Sequence, residues 1–427
     1  MTHPDDQMTR QTPVSRIAWF SPLPPVHSGI AAYSAELLPR LGETFVIDSY
    51  PEHTAHDFVW RSRRTPYDLV VYQLGNARHH DYMWAYLARY PGLVVLHDVR
   101  LHHARARSLL DQRRFDDYRQ EFGYDHPDVN PDFAQYAIEG LGGPIYYLFP
   151  MLRVVIRTAR TIAVHNPRVA SELAKTYADA AIETIRMGVP PLVHRDGARH
   201  EIRTQLSLPE EAIVFAAFGK VTPEKRVSAM LHGLRTLTRD GQQAYLMLVG
   251  DEGAYPELGV EVDRLGLRDW IRVTGHVADQ AIADYLAAAD VCLCLRWPTA
   301  QETSASWLRC LAAARPTVIT DLAHLVDTPR DVAIRVDPMR ETASVADAMR
   351  RLADDGPLRA ELGRAGHAYW SMHHTLDAMT EDYRRLVALA ASRPAPAPDD
   401  LPTHFVTNYS EAARSTLDHF GLTVGIL

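Results

Sequence analysis

The sequence predicts an α/β fold in which two doubly wound parallel sheets, each covered by helices on both faces, form two domains that face each other across a cleft. Three observations predict this fold. The 427 residues are enough for two hydrophobic cores. Apolar runs of strand length alternate with amphipathic helical patterns, which is typical of β–α–β units. These runs form two series of six, and a polar connector from Pro190 to His200 separates the series.

The predicted strands are short and almost continuously apolar. The first series covers residues 16–20, 45–48, 69–74, 93–97, 161–165 and 181–186. The second covers residues 214–219, 245–250, 270–274, 291–295, 317–320 and 332–336. Helical patterns between them include residues 31–41, a long apolar one over 144–159, one over 358–366 that breaks near Trp370, and a last one over 376–391. Strands buried on both faces favour parallel sheets.

Composition indicates a globular protein and excludes some partners. Hydrophobic residues make up 46% of the chain and charged residues 23%, which are ordinary globular values. The net charge of −8 leaves no basic footprint for nucleic acid. Three cysteines, an odd number in an apolar region, are expected to be reduced thiols in the cytoplasm. The thiols of Cys292 and Cys294 are expected to point to opposite faces of a strand and therefore to bind no common metal.

No apolar run in the sequence approaches the roughly 18 residues of a membrane span, and no targeting segment is recognised. Residues 100–119 place six arginines on a predicted helix that also carries leucines and Phe115. A peripheral membrane contact is one reading of this pattern. We favour a solvated surface helix, because Asp111, Asp116 and Asp117 balance the charge.

The most informative segment runs from Arg296 to Asp321. A predicted strand leads into a loop with a single carboxylate, Glu302, and the hydroxyl-bearing residues Thr303 and Ser304 then precede an Ala/Leu-rich helix. The backbone N–H groups at such a helix start bind phosphate oxygens, while a carboxylate binds sugar hydroxyls. This loop therefore predicts a nucleotide-sugar site.

A second loop, about 80 residues upstream, supports that site. Gly219 and Lys220 follow a buried strand, and Lys225 lies five residues beyond Lys220. The glycine allows close backbone approach, and the two ammonium groups can converge on a diphosphate. The alternative is an ordinary turn with solvated lysines. The loop lacks the glycine and the Ser/Thr of a Walker A phosphate loop.

With these two loops, the chain resembles the retaining glycosyltransferases of the two-Rossmann-domain (GT-B) type, in the large group called family 4. The resemblance extends from about Ile17 to Tyr383. In the first half, Gly29-Ile30 looks like the glycine loop of the N-terminal domain, and Leu96-His97-Asp98 resembles its strand-end His-Asp pair. Met187-Gly188-Val189 is similar to the segment before the interdomain linker.

The second half carries the donor-side motifs in the family order. Gly219-Lys220 with Lys225 resembles the phosphate clamp, with lysine in place of the usual arginine. Val249-Gly250-Asp251 and Thr274-Gly275-His276-Val277 are similar to the glycine segments beside the nucleotide base. Glu302 looks like the first glutamate of the Glu-x7-Glu signature. The resemblance implies transfer of a sugar from a UDP-, GDP- or ADP-sugar to a small-molecule, glycan or lipid-linked acceptor, with retention and without a cofactor or metal.

The chain departs from this pattern at Arg309, where the second glutamate of the signature stands in the family. That glutamate usually holds the ribose hydroxyls, whereas arginine has no acceptor. The variant Glu-Thr-Ser-x4-Arg resembles a bacterial subgroup that also carries Gly75-Asn76-x3-His80 and Leu96-His97-Asp98-x2-Leu-His. We expect Arg309 to take part in donor binding, by donating to phosphate or an acidic sugar or by pairing with a carboxylate such as Glu302. A structural salt bridge is the alternative.

The resemblance and the composition together divide the chain. Residues 1–14 are predicted to be disordered. Residues 15–200 form the acceptor-side domain and residues 201–369 the nucleotide-sugar domain. A terminal helical segment, 370–392, is expected to cross back to the first domain. Residues 393–427 are a Pro/Ala-rich linker and an appendage without a recognisable function.

Candidate site residues follow from the position of the motifs at the carboxyl ends of the strands, where open parallel sheets bind ligands. The catalytic candidates are His97, Lys220, Lys225 and Glu302. The donor-binding candidates are Gly219, Gly250, Gly275, His276, Val277, Thr303, Ser304 and Arg309. The acceptor or cleft candidates are Gly29, Ile30, Asn76, His80, Asp98, His165 and Asn166, of which the polar ones are equally compatible with capping loop backbone. The sequence has no Asp-x-Asp, and we expect no metal.

Three function classes remain open from the sequence. The first is a retaining glycosyltransferase, which the lysine loop and Glu302 favour. The second is a nucleotide-sugar epimerase or a phosphorylase on the same fold. The third is a non-catalytic nucleotide-sugar-binding partner subunit that has lost ribose binding through Arg309. Fold analogy alone does not separate them.

Overall fold

The computed structural model describes residues 14–407, 415–417 and 419–421, and in them two six-stranded sheets are entirely parallel. The first sheet has the order β2-β1-β3-β4-β5-β6 and the second β12-β11-β10-β7-β8-β9. The strands of the first are β1 (Arg16–Phe20), β2 (Val46–Ser49), β3 (Leu69–Leu74), β4 (Leu93–Leu96), β5 (Thr161–Val164) and β6 (Ile182–Thr184). Those of the second are β7 (Ile213–Phe218), β8 (Ala244–Val249), β9 (Ile271–Val273), β10 (Val291–Cys294), β11 (Thr317–Thr320) and β12 (Ile334–Val336). The predicted α/β class and strand positions are confirmed.

Helices cover both faces of each sheet. In the first domain they are α1 (Gly29–Leu41), α2 (Asp57–Arg64), α3 (Met83–Leu87), α4 (His102–Leu110), α5 (Phe115–Asp125), α6 (Asp132–Tyr136), α7 (Ile145–Leu148), α8 (Arg153–Thr158) and α9 (Pro167–Thr176). They continue with α10 (Ala198–Gln205), α11 (Val227–Arg239), α12 (Leu258–Leu265), α13 (Ile282–Ala288), α14 (Ala305–Ala312), α15 (Glu341–Asp354), α16 (Gly356–His373), α17 (Leu376–Ser392) and α18 (Thr403–Val406). The predicted boundary at residue 200 falls inside α10, which packs on α13 of the second domain.

Two predicted helices are interrupted. The long apolar helix over 144–159 is wrong: α7 and α8 are separated by extended backbone at Phe149 and a left-handed residue, Met151. Pro150 explains the break, because proline pushes the preceding residue out of the helical region and has no N–H to donate. The helix predicted over 100–119 is likewise divided into α4 and α5. At the other end of the chain, α16 continues past Trp370 to His373.

Four of the six arginines in the arginine-rich segment form ion pairs with acidic side chains. Arg105 on α4 is buried and pairs with Glu121 on α5, with Nε 2.7 Å from Oε2. The other pairs of the segment within the described residues join Arg107 to Asp81, Arg114 to Asp117 and Arg119 to Asp116, each at 2.7 Å. These ion pairs balance four of the six arginines, and a peripheral membrane contact stays an alternative. No helix of the described residues is long and apolar enough to cross a membrane.

The terminal helix α17 leaves the second domain and packs on α1, β3 and β4 of the first, as expected from the resemblance. Its buried side chains include Tyr383, Leu386 and Val387. The following segment continues along the first domain. There Phe405 of α18 is buried near Trp84, and His404 Nε2 lies 2.7 Å from Glu121 Oε1. Residues 393–407 thus pack against the first domain. Residues 1–13 lie outside the described residues.

Candidate active site

A cavity of about 370 Å³ lies between the two domains, at the carboxyl ends of both sheets. Strand order reverses between β1 and β3 in the first sheet and between β7 and β10 in the second. The loops after these strands diverge to opposite faces, which leaves a crevice for a ligand. The cavity is lined by the loops that follow β1, β3, β4, β7, β10 and β11. Both topological switch points therefore face the same space.

Two helix N-termini open onto this cavity. Ser28 caps α1 by accepting from the Ala31 N–H at 3.0 Å, and Gly29 and Ile30 line the cavity. Ser304 caps α14 by accepting from the Trp307 N–H at 3.2 Å, and Thr303 lines the same wall. The first N–H groups of a helix have no partner within the helix, and the helix dipole favours anions at this end. The arrangement is suited to a ligand that carries phosphate groups.

Lys225 is the predicted lysine that lines the cavity. Its Nζ donates to the backbone oxygen of Phe218 at the end of β7. Burial, and then the nearby charge of Arg296, lower the pKa of Lys225 to about 7. Gly219 makes room for it, since a Cβ there would lie 2.7 Å from Nζ, and its φ of 87° is in the left-handed region. The site therefore holds an ammonium group that loses its proton near neutral pH and that a bound anion would keep protonated.

The other donor-side candidates surround the cavity without lining it. Lys220 is exposed on the loop after β7. Gly250 allows the ends of β7 and β8 to meet, because a Cβ there would lie 2.3 Å from the Gly219 oxygen. Gly275 has a φ of 71° and open space above it. His276 and Val277 follow, and the His276 ring stacks on His27 of the first domain with centroids 4.1 Å apart.

Glu302 lies in the loop before α14 and is held by three donors. Arg296 Nε is 2.7 Å from Oε1, while the Thr299 hydroxyl and the Ala300 N–H each donate to Oε2 at 2.9 Å. The Ala300 oxygen in turn accepts from the Val99 N–H of the first domain at 2.9 Å. The carboxylate is therefore fixed at the seam between the domains, with Arg296 as its counter-ion.

Across the cavity, His97 and Asp98 follow β4. The His97 ring is buried, which lowers its pKa well below the usual value, and its Nε2 lies 2.8 Å from Gln73 Oε1. Burial, followed by repulsion from Glu302, raises the pKa of Asp98 to about 6. Its Oδ2 accepts from the Asn76 N–H at 2.7 Å. The cavity thus contains a neutral imidazole and a carboxyl that can exchange a proton near neutral pH.

His80 completes this wall. Its Nδ1 lies 2.8 Å from the Gln73 oxygen, which identifies Nδ1 as the protonated nitrogen because a carbonyl only accepts. Its Nε2 is buried without a hydrogen-bond partner among the described residues. Burial lowers the pKa of His80 to about 4, so the ring is neutral.

Three cleft candidates have structural roles next to the cavity. The Asn76 amide donates to the Arg100 oxygen at 2.7 Å and accepts from the Ala104 N–H. Asn166 caps α9, and its amide donates to the His324 oxygen of the second domain at 2.7 Å. His165 lies behind His97, with ring centroids 5.0 Å apart, and burial lowers its pKa to about 4. These side chains hold loops and the two domains in place.

Arg309 lies one turn beyond the cavity wall on α14 and reaches across the cleft. Its guanidinium pairs with Glu36 of α1 at 2.5 Å and with Asp279 at 3.4 Å. The suggested pairing with Glu302 is wrong, because Glu302 pairs with Arg296 while the Arg309 guanidinium faces Glu36 and Asp279. The structure therefore gives Arg309 the salt-bridge role, between the two domains.

Several cavity residues were missed as site residues or left open. They include Arg296, Thr299, Ser306, Thr320, His324 and Cys294. The sequence rule that identified the other candidates also applies to most of these residues. They lie in the loops after β10 and β11, at the carboxyl ends of strands. The expectation that the Cys292 and Cys294 thiols diverge was wrong, because residues two apart on a strand share a face. Both lie against Cys310, with the Cys294 and Cys310 sulfurs 3.9 Å apart.

Among the residues that the structure describes, no group of three or more His, Cys, Asp or Glu side chains is arranged to hold a metal ion.

Comparisons with known proteins agree with this geometry. Residues 212–355 match the family model described as glycosyl transferases group 1. Alpha-D-kanosaminyltransferase of Streptomyces kanamyceticus is 24% identical over 227 residues, which are 43% of this chain and 58% of that relative. The match thus spans little more than half of the relative's length.

Solved structures share the fold over most of the chain. Sucrose-phosphate synthase from Thermosynechococcus elongatus superposes with a TM-score of 0.64 at 15% identity, covering 88% of this chain and 100% of its own. Anabaena Alr3699/HepE, solved in complex with UDP-glucose, gives a TM-score of 0.62 at 14% identity, covering 88% and 99%. The chain has the GT-B fold, and the match to the group 1 glycosyl transferase model covers residues 212–355.

Proposed function

We propose that the protein is a retaining glycosyltransferase that moves a sugar from a nucleoside diphosphate donor to an acceptor bound by the first domain, without a metal ion. One observation carries the proposal. The N-terminus of α14, the Lys225 ammonium and the Arg296 guanidinium converge on one wall of the cavity, and His97 and Asp98 face them from the other domain. A diphosphate joined to a polyhydroxylated ring would use both walls, the cationic wall for the phosphates and the opposite wall for the hydroxyl groups.

Charge stabilisation on the leaving group is the main requirement of the reaction. As the bond from the anomeric carbon to the diphosphate oxygen breaks, negative charge develops on the diphosphate. Preorganised donors in a site shielded from water stabilise such charge most effectively. In this site Lys225, Arg296 and the free N–H groups of α14 supply that stabilisation, which is the role a divalent metal has in other transferases.

The opposite wall would bind the sugar and the acceptor. A neutral His97 can exchange a hydrogen bond with a sugar hydroxyl through the ring nitrogen that Gln73 leaves free. The Asp98 carboxyl, with a pKa of about 6, can take the proton that the acceptor hydroxyl loses. Glu302 and its counter-ion Arg296 would border the donor sugar where the two domains meet.

The relatives support the class of ligand. One structural neighbour was solved with UDP-glucose, and the curated relative transfers a kanosaminyl group. We propose a cytoplasmic location, because nucleotide-sugar substrates are present in the cytoplasm. The donor base, the donor sugar and the acceptor are to be identified by the experiment described next.

The experiment is a binding and turnover screen of the full chain against UDP-, GDP- and ADP-sugars. A true donor present well above its Kd should stabilise the fold by about 3 kcal/mol at a hundredfold excess. Incubation of that donor with candidate acceptors, followed by NMR of the product, gives the anomeric configuration. Binding without turnover would favour the non-catalytic partner. Interconversion of the donor alone, or cleavage that requires phosphate, would favour the epimerase or the phosphorylase. An inverted product would refute retention.

A further inference from the structure

A chain of buried hydrogen bonds connects the terminal helix to His97. The Tyr383 hydroxyl of α17 lies 3.0 Å from Gln73 Nε2 on β3 and 3.2 Å from Gln73 Oε1, which in turn lies 2.8 Å from His97 Nε2. The Tyr383 hydroxyl also lies 2.7 Å from the hydroxyl of Tyr33 on α1. All four side chains are buried, so each polar atom depends on the next one for its partner.

Tyr33 also packs against the imidazole ring of His97. The Tyr33 ring meets the His97 ring edge to face, with centroids 4.7 Å apart. Tyr383 is 310 residues from Gln73 in sequence and reaches it only because α17 crosses back to the first domain. The orientation of a side chain at the cavity therefore depends on a helix that follows the second domain.

We propose that Tyr383 and Gln73 are positioning residues that hold His97 in the tautomer protonated on Nε2, so that Nδ1 is presented to the cavity as a hydrogen-bond acceptor. An amide oxygen can only accept, so the Gln73 Oε1 contact requires a proton on His97 Nε2. The Tyr383 hydroxyl lies 3.0 Å from Gln73 Nε2 and 3.2 Å from Gln73 Oε1. With its proton donated to Tyr33, the tyrosine oxygen can only accept from Gln73, and it then holds the NH₂ group on its own side and Oε1 toward His97.

The chemistry of this arrangement is specific. A neutral ring with its lone pair toward the cavity accepts from a hydroxyl of the bound sugar or acceptor, and a ring in the other tautomer would donate. Without the Tyr383 hydroxyl, Gln73 can rotate its amide by half a turn, and His97 would populate both tautomers. This consequence for catalysis rests on the proposed function, whereas the tautomer itself does not.

The test is ¹⁵N NMR of the full chain labelled at histidine, with the His97 signals assigned from a His97→Gln variant. In the wild type we expect one neutral tautomer, with Nε2 protonated, between pH 6 and 8. Tyr383→Phe and Gln73→Leu should move the His97 nitrogen shifts toward a mixture of tautomers. Tyr72→Phe is the matched control, because this buried tyrosine on β3 donates to the Tyr90 oxygen and lies outside the chain of contacts.

The outcomes are distinct. A wild-type His97 protonated on Nδ1, or His97 shifts that are identical in the wild type and in Tyr383→Phe, would overturn the proposal. In a donor-turnover assay, Tyr383→Phe should lower kcat about tenfold, with less than a twofold change in KM, as for other partners that orient a functional histidine. An equal loss in Tyr72→Phe would indicate a general structural effect and would also overturn it. If the wild type turns over no nucleotide sugar, the proposed function fails and the NMR result still decides the tautomer.

Discussion

Replacement of Lys225 by methionine should separate catalysis from stability. Methionine has a similar length and fits the same apolar path, but it brings no charge to the diphosphate. Lys225 is one of three lysines in the chain, with Lys175 and Lys220, and the one whose side chain lines the cavity. We expect the variant to fold and to lose transfer.

The magnitude follows from the environment of the ammonium group. Loss of one preorganised charge on the leaving group costs about 3 kcal/mol in the transition state, or about 10² in rate. Burial and the nearby charge of Arg296 lower the pKa of Lys225 from 10.5 to about 7. The folded state therefore disfavours the ammonium by on the order of 5 kcal/mol. This exceeds the about 1 kcal/mol of the lost hydrogen bond to Phe218, so the methionine variant should be at least as stable as the wild type near pH 7.

The sign of the pH dependence gives an independent check. Because the folded pKa lies below the unfolded one, the unfolded chain binds more protons between pH 7 and 10.5. The penalty from Lys225 is thus complete below pH 7, decreases as the pH rises and vanishes above about 10.5. The stability advantage of Lys225→Met should shrink in the same way. Denaturant unfolding at several pH values measures it.

The assay is donor turnover at saturating donor, with Lys175→Ala as the matched control because Lys175 is exposed on α9, away from the cavity. Lys220→Ala should have a smaller effect than Lys225→Met. Wild-type turnover in Lys225→Met would refute the phosphate-clamp assignment. A large loss of stability in this variant would refute the argument from burial.

Further predictions concern the charges around the cavity. Donor binding should take up a proton above pH 7, because a diphosphate raises the pKa of Lys225; calorimetry in two buffers of different ionisation enthalpy measures this uptake, which should be absent in Lys225→Met. Arg309→Glu should destabilise the contact between the domains by about 2 kcal/mol, since it sets the new carboxylate against those of Glu36 and Asp279. Adding Glu36→Arg should restore both melting temperature and donor Kd, and a failure to restore them would show that the pair is not the cause. Transfer should persist in EDTA, and loss of activity with rescue by manganese would contradict metal independence.

The sequence motif identified Arg309 as an unusual residue but did not predict the partners of its side chain. Alignment to the signature correctly marked the position as unusual. It could not show that Arg296 is the partner of Glu302, nor that Glu36 of the other domain faces the Arg309 guanidinium. Lys220 and Lys225 illustrate the same limit. They are five residues apart in one loop, and a short helical turn directs Lys225 back under β7 while Lys220 remains at the surface.

The sequence by itself determined the two parallel sheets, the strand positions and the loops that form the cavity. Its hydrophobic periodicity encodes which segments are buried, and parallel sheets bring the ends of those segments to one edge. The tertiary structure decided which residues share a partner. Tyr383 and Gln73, Arg309 and Glu36, and Val99 and Ala300 are paired by the crossing of α17 and the approach of the two domains. Such contacts depend on how whole domains pack, and no local pattern in the chain encodes them.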